Sequence, residues 1–485
     1  MKVLSNKFLV VSPNKELWDE SKPMLFLGEW CNLFKDRNYN KDLDIKINSH
    51  HWEDKEKQEI DYKFLDDIYE QKLLDLTYSL SEIHNLKFDV RYWRIIIGPW
   101  LMAFVPIVYD RWTSLEIAIS SYDISQTKVI DYEELESIPE DMNHFELLVK
   151  TDQWNHFIYS LILKKSELIK IADWAKKKSN TNYDCVIGVS GGKDSTFQVI
   201  KVLEMGLKPL CVCFEPTIPT EIGRKNLDNL NCLGVDLIHI KRDPVVYKKL
   251  AKEAFRRTGD NEWQNHLGIF TTVPKFAINF NVPLIIWGES PQIEYGGPAS
   301  SKSKNMLDRQ WLEEFGGLLG NRISDMEGVD GLTKRDLSLY TYASDEDVHR
   351  VGVTGLFLGY YFKWDLRTVL KKSKEFGFSV ANRAVETTYE NFENLDCYSN
   401  HLHDYLKYVK YGFGRATDNA CLDIRLGYIN RKQGVRLVNK YDGRYPIKAV
   451  KEYLEYTGFS QQEFDKIVFS YTNKRIFERD EQGKF

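Results

Sequence analysis

Residues 183–195, Tyr-Asp-Cys-Val-Ile-Gly-Val-Ser-Gly-Gly-Lys-Asp-Ser, constrain the fold of this 485-residue chain more than any other stretch. Residues 185–189 are a short apolar run rich in β-branched side chains, the pattern of a strand covered on both faces. Gly191 and Gly192 permit a sharp turn and a close approach of backbone to ligand. Asp194 and Ser195 stand where a helix begins, and either side chain is suited to cap it. Phe197, Ile200 and Leu203 share one face at helical spacing, and Gly206 is placed to end the helix. A glycine turn feeding a helix N-terminus is an anion site, because its N–H groups and dipole favour a phosphate there. The spacing is neither that of a Walker A loop nor the dinucleotide Gly-x-Gly-x-x-Gly pattern.

Strands and helices alternate after this motif. The pattern predicts strands at 209–214, 235–240 and 283–287, and helices at 220–233, 244–257 and 266–280. Such alternation with apolar strands predicts an α/β fold, a parallel sheet with helices on both faces. Ligands of such sheets bind at the carboxyl ends of the strands. Three ends are therefore expected to converge: the Ser190 loop, Phe214-Glu215-Pro216, and Gly288-Glu289-Ser290.

The length suggests two or three domains. The divisions expected are 1–155, a smaller N-terminal α/β region; 156–300, the nucleotide core; 301–450, a lid and substrate part; and 451–485, a helical tail. The chain is 43% hydrophobic and 28% charged, which excludes wholesale disorder. Its net charge of −5 gives no basic excess, so no nucleic-acid partner is expected. The seven cysteines, at 31, 185, 211, 213, 232, 397 and 421, include no Cys-x-x-Cys pair, and several sit in apolar strands and read as core thiols of a reducing compartment. The longest apolar run, 95–109, contains Pro99 and Pro106 and is shorter than the roughly 20 residues a bilayer demands. A cytoplasmic protein without a membrane span is expected.

In the N-terminal region, 8–13 and 24–28 read as short strands, 60–86 and 93–119 as helices, and 120–152 as an acidic linker. Glu29, His50, His51, Glu53 and Asp54 are polar residues suited either to a second site or to surface and structural roles. Residues 154–178 read as a helix, and so does the beginning of 421–440. The loops at 294–297 and 316–331 are candidates for a lid.

Ser190-Gly-Gly-Lys-Asp-Ser195 resembles the pyrophosphate loop of the ATP pyrophosphatase (PP-loop) superfamily. That resemblance implies ATP cleaved between its α and β phosphates. Together with 355–365, 394–397, 401–405, 410–418 and 423–425, the motif resembles the N-acetyl sugar amidotransferases of bacterial surface-glycan synthesis, over roughly 180–450. These are taken to convert a sugar acetamido group to an acetamidino group. Phe26-Leu-Gly-Glu-Trp-Cys31, His51-Trp-Glu-Asp-Lys55 and 91–100 resemble uncharacterised transferases found with surface-polysaccharide genes, as far as about Trp154-Asn-His156. The cysteine-rich leader common in the amidotransferases is missing, and this other region stands in its place.

The resemblance implies ATP and Mg²⁺ as cofactors. It implies Ser190, Gly191, Gly192, Lys193, Asp194, Ser195, Phe214, Glu215, Gly288 and Glu289 around ATP, with Lys193 and Asp194 catalytic and Asp194 also at Mg²⁺. Arg415, Asp418 and Arg425 are the expected sugar contacts; the other reading is a salt-bridge network that positions their helix. No cysteine here has the setting of a glutaminase nucleophile, so ammonia is expected from a separate glutaminase, with a synthase-like partner subunit. Cys397, His401 and His403 are too loosely spaced to read as a metal site. The competing readings are a tRNA-modifying PP-loop enzyme, with Cys211 and Cys213 as its thiols, and a nucleotide-binding scaffold without turnover.

Overall fold

The computed structural model describes residues 7–130, 138–288, 318, 320–362 and 364–478. The chain divides into two compact units, Met1–Leu168 and Ile169–Phe485.

The first unit is built on a four-stranded sheet: β1 (Lys7–Val10), β2 (Met24–Phe26), β3 (Ile45–Ile47) and β4 (Ile124–Thr127), in the order β3-β2-β1-β4 and all parallel. Side chains alternate across it. Leu9, Val11, Leu25 and Leu27 pack with Leu115, Ala118 and Tyr159, whereas Phe8, Val10, Met24 and Phe26 pack with Trp18 and Cys31. Two long helices, α1 (Lys55–Ile83) and α2 (Val90–Ser121), meet along Tyr69, Leu73 and Leu101. Asp54 caps the first through the N–H groups of Glu56 and Lys57, and Asp89 caps the second through that of Tyr92.

One expectation is borne out here and one is corrected. The helix read at 93–119 is present as the 32-residue α2, which runs through both Pro99 and Pro106. By length and composition that helix is long and apolar enough to cross a membrane. The stretch 120–152 is more than a linker, because it holds β4 and a short helix, Met142–Leu148, whose Phe145 and Leu148 pack on Trp154.

A third long helix, α3 (Asp152–Lys178), carries the chain into the second unit. There β5 (Cys185–Gly188), β6 (Pro209–Phe214), β7 (Asp236–Ile240), β8 (Leu284–Trp287) and β9 (Thr354–Phe357) form a parallel sheet in the order β7-β6-β5-β8-β9. The connecting helices are α4 (Lys193–Glu204), α5 (Glu221–Asn231), α6 (Pro244–Thr258) and α7 (Trp263–Asn279). Val186, Leu210, Val212, Ile285 and Phe357 of the strands are buried against Phe270, Val273 and Ala277 of α7. The architecture is the expected one, a parallel α/β sheet flanked by helices and followed by a helical C-terminal part.

The strand order fixes where a ligand belongs. The chain builds outward from β5 through β6 to β7, then returns to place β8 on the other side of β5. The connections leaving β5 and β8 therefore part in opposite directions, and the crevice they leave is the usual ligand position in such sheets. The Ser190 loop follows β5 and Gly288 follows β8, so both border that crevice.

The C-terminal part supplies α8 (Leu366–Glu375), α9 (Ser399–Tyr411), α10 (Arg415–Arg425), α11 (Arg431–Tyr441), α12 (Ile447–Thr457) and α13 (Gln461–Tyr471). The helix read at the beginning of 421–440 is two helices, divided near Gly427, whose φ of +77° is left-handed. Of the proposed lid, 294–297 and 316–317 lie outside the described residues. The described turns Ile323–Met326 and Val329–Gly331 are anchored, with Met326 and Leu332 buried alongside Tyr247 and Trp263.

Candidate active site

The loop between β5 and α4 owes its shape to contacts among its own residues. Gly191 has φ +84°, and a Cβ there would stand 2.7 Å from the carbonyl oxygen of Gly223, at the start of α5. Only glycine meets both conditions without strain. Gly192 N–H donates to Ser190 Oγ (3.2 Å), and Ser195 Oγ donates to Gly192 O (3.0 Å). The two serine hydroxyls are thus engaged within the loop.

The expectation that Asp194 or Ser195 caps α4 is corrected by this arrangement. The N-cap residue is Gly192, and no side chain caps the helix. A helix that begins in a glycine turn without a side-chain cap presents its first N–H groups to an anion.

Lys193 and Asp194 open that helix. The Lys193 side chain is buried, with Nζ 2.6 Å from Asp194 Oδ2 and 3.5 Å from Glu393 Oε1. Asp194 Oδ1 accepts a hydrogen bond from Trp364 Nε1 at 3.1 Å. The Trp364 ring stands edge-on to Phe197, with centroids 4.9 Å apart. It also covers Gly288, where a Cβ would lie 3.0 Å from the indole. Trp364 therefore links the end of β8 to the carboxylate beside the glycine loop. Ser373 Oγ of α8 donates to Lys193 O (3.0 Å), securing the same turn from another side.

A carboxylate-bearing segment at 393–397 closes the loop's outer edge. Glu393 is buried and accepts from Asn419 Nδ2 of α10 at 2.6 Å. The Ser190 side chain hydrogen-bonds to Asp396, which also accepts from Asn400 Nδ2 (2.9 Å). Burial raises the Asp396 carboxyl above the usual range, against the Ser190 hydrogen bond and the Lys193 charge. The backbones meet closely: a Cβ on Gly223 would lie 2.5 Å from Asp396 Cα, and Thr220 N–H donates to Asp396 O (3.1 Å). Two carboxylates, those of Asp194 and Glu393, thus flank the Lys193 ammonium. Carboxylates are hard oxygen donors of the kind Mg²⁺ prefers, and Asp194 stands at the uncapped helix end. Asp194 fits Mg²⁺ shared with a polyphosphate, which ordinarily takes one or two carboxylates.

Ser190, Gly191, Gly192, Lys193, Asp194, Ser195 and Gly288 are gathered around one crevice. The Phe214 ring instead lies in the core with Tyr247 and Tyr340, so its backbone is what faces the strand end. Glu215 is half-buried at that end, its carbonyl accepting from Arg242 Nη1. Glu289 lies outside the described residues. The residues missed from sequence are Trp364, Glu393 and Asp396. The segment 394–397 stood out as a motif, but nothing in it indicated contact with Ser190.

The expected sugar contacts share α10. Arg415 Nε lies 3.3 Å from Asp404 and Asp418 pairs with Lys407, both on α9. Arg425 Nε donates to Cys421 O in its own helix (3.2 Å). Arg415 is connected to the site through a relay: Asp404 Oδ2 accepts from Asn394 Nδ2 (2.6 Å), next in sequence to Glu393. Nearby, Arg367 binds both oxygens of Glu390, at 3.2 and 2.6 Å, and Asp423 at 3.0 Å, joining α8 to α10.

Behind the 394–397 segment lies a buried polar cluster. Glu262 accepts from Ser399 Oγ and from Asn265 Nδ2 (2.8 Å), and burial lifts its carboxyl to about 7. Asp260 accepts from His403 Nδ1 at 3.2 Å. Burial opposes both charges of that pair, yet their attraction prevails, holding Asp260 below the carboxylate range and His403 above the imidazole range. His401 instead meets Thr387 (3.2 Å), so the two histidines of α9 do not converge on Cys397.

Residues 7–232 match the LIC12162 family of transferases, and residues 386–485 match the C-terminal domain of WbpG-like LPS biosynthesis proteins. The first match begins in the region that resembles transferases of surface-polysaccharide loci. It continues past residue 156, the expected limit, through the Ser190 loop. No curated protein matches the chain. Among solved structures, NMN synthetase from Francisella tularensis is 13% identical, over 41% of this chain and 92% of its own, with a TM-score of 0.20. So loose a superposition carries no argument. Each family match spans less than half of the chain; together they give it kinship with transferases and with LPS biosynthesis proteins.

Proposed function

We propose that this chain is an ATP-dependent amidotransferase of bacterial surface-glycan synthesis, converting a sugar acetamido group to an acetamidino group. One observation carries the reading. A buried lysine and a glycine with left-handed φ form the uncapped start of a helix, at the point where the strand order reverses. The kinship with transferases and LPS biosynthesis proteins agrees with it.

The chemistry follows from the substrate. An amide oxygen is a poor leaving group, so it first attacks the α-phosphorus of ATP, expelling pyrophosphate and forming an O-adenylyl imidate. Ammonia adds at the imidate carbon, AMP departs with the oxygen, and loss of a proton leaves the amidine. In this chain the N–H groups that begin α4 receive the departing pyrophosphate. Lys193 offsets its charge, exchanging a carboxylate neighbour for a phosphate oxygen. Asp194 would hold Mg²⁺, which neutralises phosphate charge when bound. Trp364 keeps Asp194 turned toward the crevice. Arg415, Asp418 and Arg425 are the sugar contacts on this reading, and ammonia comes from a separate glutaminase and a synthase-like subunit. ATP use of this kind suits the cytoplasm.

A tRNA-thiolating enzyme is the weaker reading. Cys211 and Cys213 are buried in β6, and burial pushes both thiols up to about 12, far from a reactive thiolate. The test is AMP release by Lys193→Ala and Asp194→Ala in the presence of acetamido sugar and ammonium. Both variants are expected to fold normally and to lose AMP formation by at least a hundredfold. Full activity in both would refute the assignment.

A further inference from the structure

The first unit holds a cluster that this reaction leaves unused. The chain leaving β3 carries His50 and His51 to the carboxyl edge of the sheet, and Asp110 reaches them from α2. His50 Nε2 lies 2.8 Å and His51 Nε2 3.0 Å from the same oxygen, Asp110 Oδ1. These three atoms all lie within 4.8 Å of one another. Arg111 holds the other oxygen of Asp110. His51 and Asp110 are buried, whereas the His50 side chain is one-third exposed, 33%, giving the cluster an opening.

The far side of His51 shows what the cluster lacks. Its Nδ1 is buried without a hydrogen-bond partner and faces Asp61 Oδ2 at 3.8 Å. Asp61 accepts from Lys57 Nζ, Tyr109 Oη and Trp52 Nε1. A neutral imidazole has one N–H. With the proton on Nε2, the Nδ1 lone pair is buried against a carboxylate that can only accept. With the proton on Nδ1, it points toward Asp61, but the Nε2 lone pair then faces Asp110. A cation between Nε2 and Asp110 resolves the second arrangement, leaving a carboxylate–histidine–metal chain from Asp61 through His51.

We propose that His50 Nε2, His51 Nε2 and Asp110 Oδ1 form a binding site for a divalent first-row transition metal, with Asp61 orienting His51. The spacing suits six-coordination: ligand bonds of about 2.1 Å at right angles place neighbouring donors about 3.0 Å apart, against about 3.4 Å for a tetrahedron. Two histidines and one carboxylate on one face of the ion leave three positions for water or an oxygen-bearing ligand. Binding has one local cost. His50 Nδ1 accepts from Trp52 N–H at 3.2 Å, and that contact must be given up when Nδ1 takes the proton.

The test uses the full chain, freed of metal with a chelator and reloaded with Co²⁺, Mn²⁺ or Zn²⁺ in the absence of nucleotide. One metal per chain is expected by elemental analysis, with the weak visible bands of six-coordinate Co²⁺. His51→Gln and Asp110→Asn should each lower metal affinity at least a hundredfold, and Asp61→Asn about tenfold. Asp194→Ala should retain the metal, which separates this site from the nucleotide site and makes its failure distinct from failure of the amidotransferase reading. Circular dichroism identifies any variant that misfolds; the wild-type Co²⁺ spectrum and the Asp61→Asn titration then decide alone. Absence of stoichiometric metal, affinity unchanged in folded His51→Gln, or a His51 ring protonated on both nitrogens by NMR in the metal-loaded sample would overturn the proposal.

Discussion

At the scale of single residues, the second unit sets its charges by placement. Trp364 lies 170 residues from Asp194 in the chain, yet its indole N–H orients that carboxylate. Trp364→Phe keeps a ring over Gly288 and Phe197 but removes the donor. A hydrogen bond to a charged group contributes roughly 1.5–3 kcal/mol. AMP formation should therefore fall about tenfold or more, with the unfolding midpoint lowered by several degrees; an unaltered rate would remove Trp364 from the site. Glu262 gives a pH test. Its folded carboxyl titrates near 7, above the ordinary glutamate value, so the folded state binds the proton more tightly. That stability is complete below the unfolded value and is lost as pH rises through about 7, to the extent of about 3 kcal/mol. Thermal midpoints of the wild type should thus decline relative to Glu262→Gln between pH 5 and 8, and parallel profiles would contradict it. Such roles were not legible in the sequence. The motif 190–195 announces itself through backbone needs within six residues, whereas Trp364, Glu393 and Asp396 gain meaning only from distant partners.

At the scale of elements, the periodic segments were the readable ones. β5, β6 and β8 are apolar runs flanked by helices of regular spacing, so their bounds follow from pattern alone. β3 and β9 are short strands at the edges of their sheets, with too little pattern to stand out. The prolines of α2 did not hide that helix, because its apolar spacing runs on through both, and packing on α1 holds it there. The start of α4 was misjudged because Ser190 and Ser195 serve the loop itself, leaving Gly192 as the cap. The junction of that loop with α5 and the 394–397 segment is backbone against backbone, at Gly191 and Gly223. Gly223→Ala would push a methyl group to 2.5 Å from Asp396 Cα. Overpacking of this kind costs roughly 1–3 kcal/mol and should displace Asp396 from Ser190. Denaturant unfolding should show that loss, together with weaker nucleotide binding; a neutral substitution would mean that the segment does not rest on α5.

At the scale of the whole molecule, the chain joins a transferase-family match in its first half to an LPS-biosynthesis match at its end, with the glycine loop in the first of these. Its thiols, all within these two matched segments, report on their packing. Cys31, Cys185, Cys211, Cys213 and Cys397 are buried, while Cys232 and Cys421 are exposed. A thiol reagent should label two cysteines quickly in the native protein and the other five only on unfolding; rapid labelling of all seven would contradict the packed sheets described. The central claim is that the loop after β5 holds the β and γ phosphates so that the α phosphate can pass to an amide oxygen. Phosphorus NMR of the products formed from ATP, Mg²⁺, ammonium and an acetamido sugar tests it most directly. The account predicts AMP and pyrophosphate in equal amounts, with oxygen-18 from a labelled acetamido carbonyl appearing in the AMP. ADP and orthophosphate, or AMP free of the label, would contradict it.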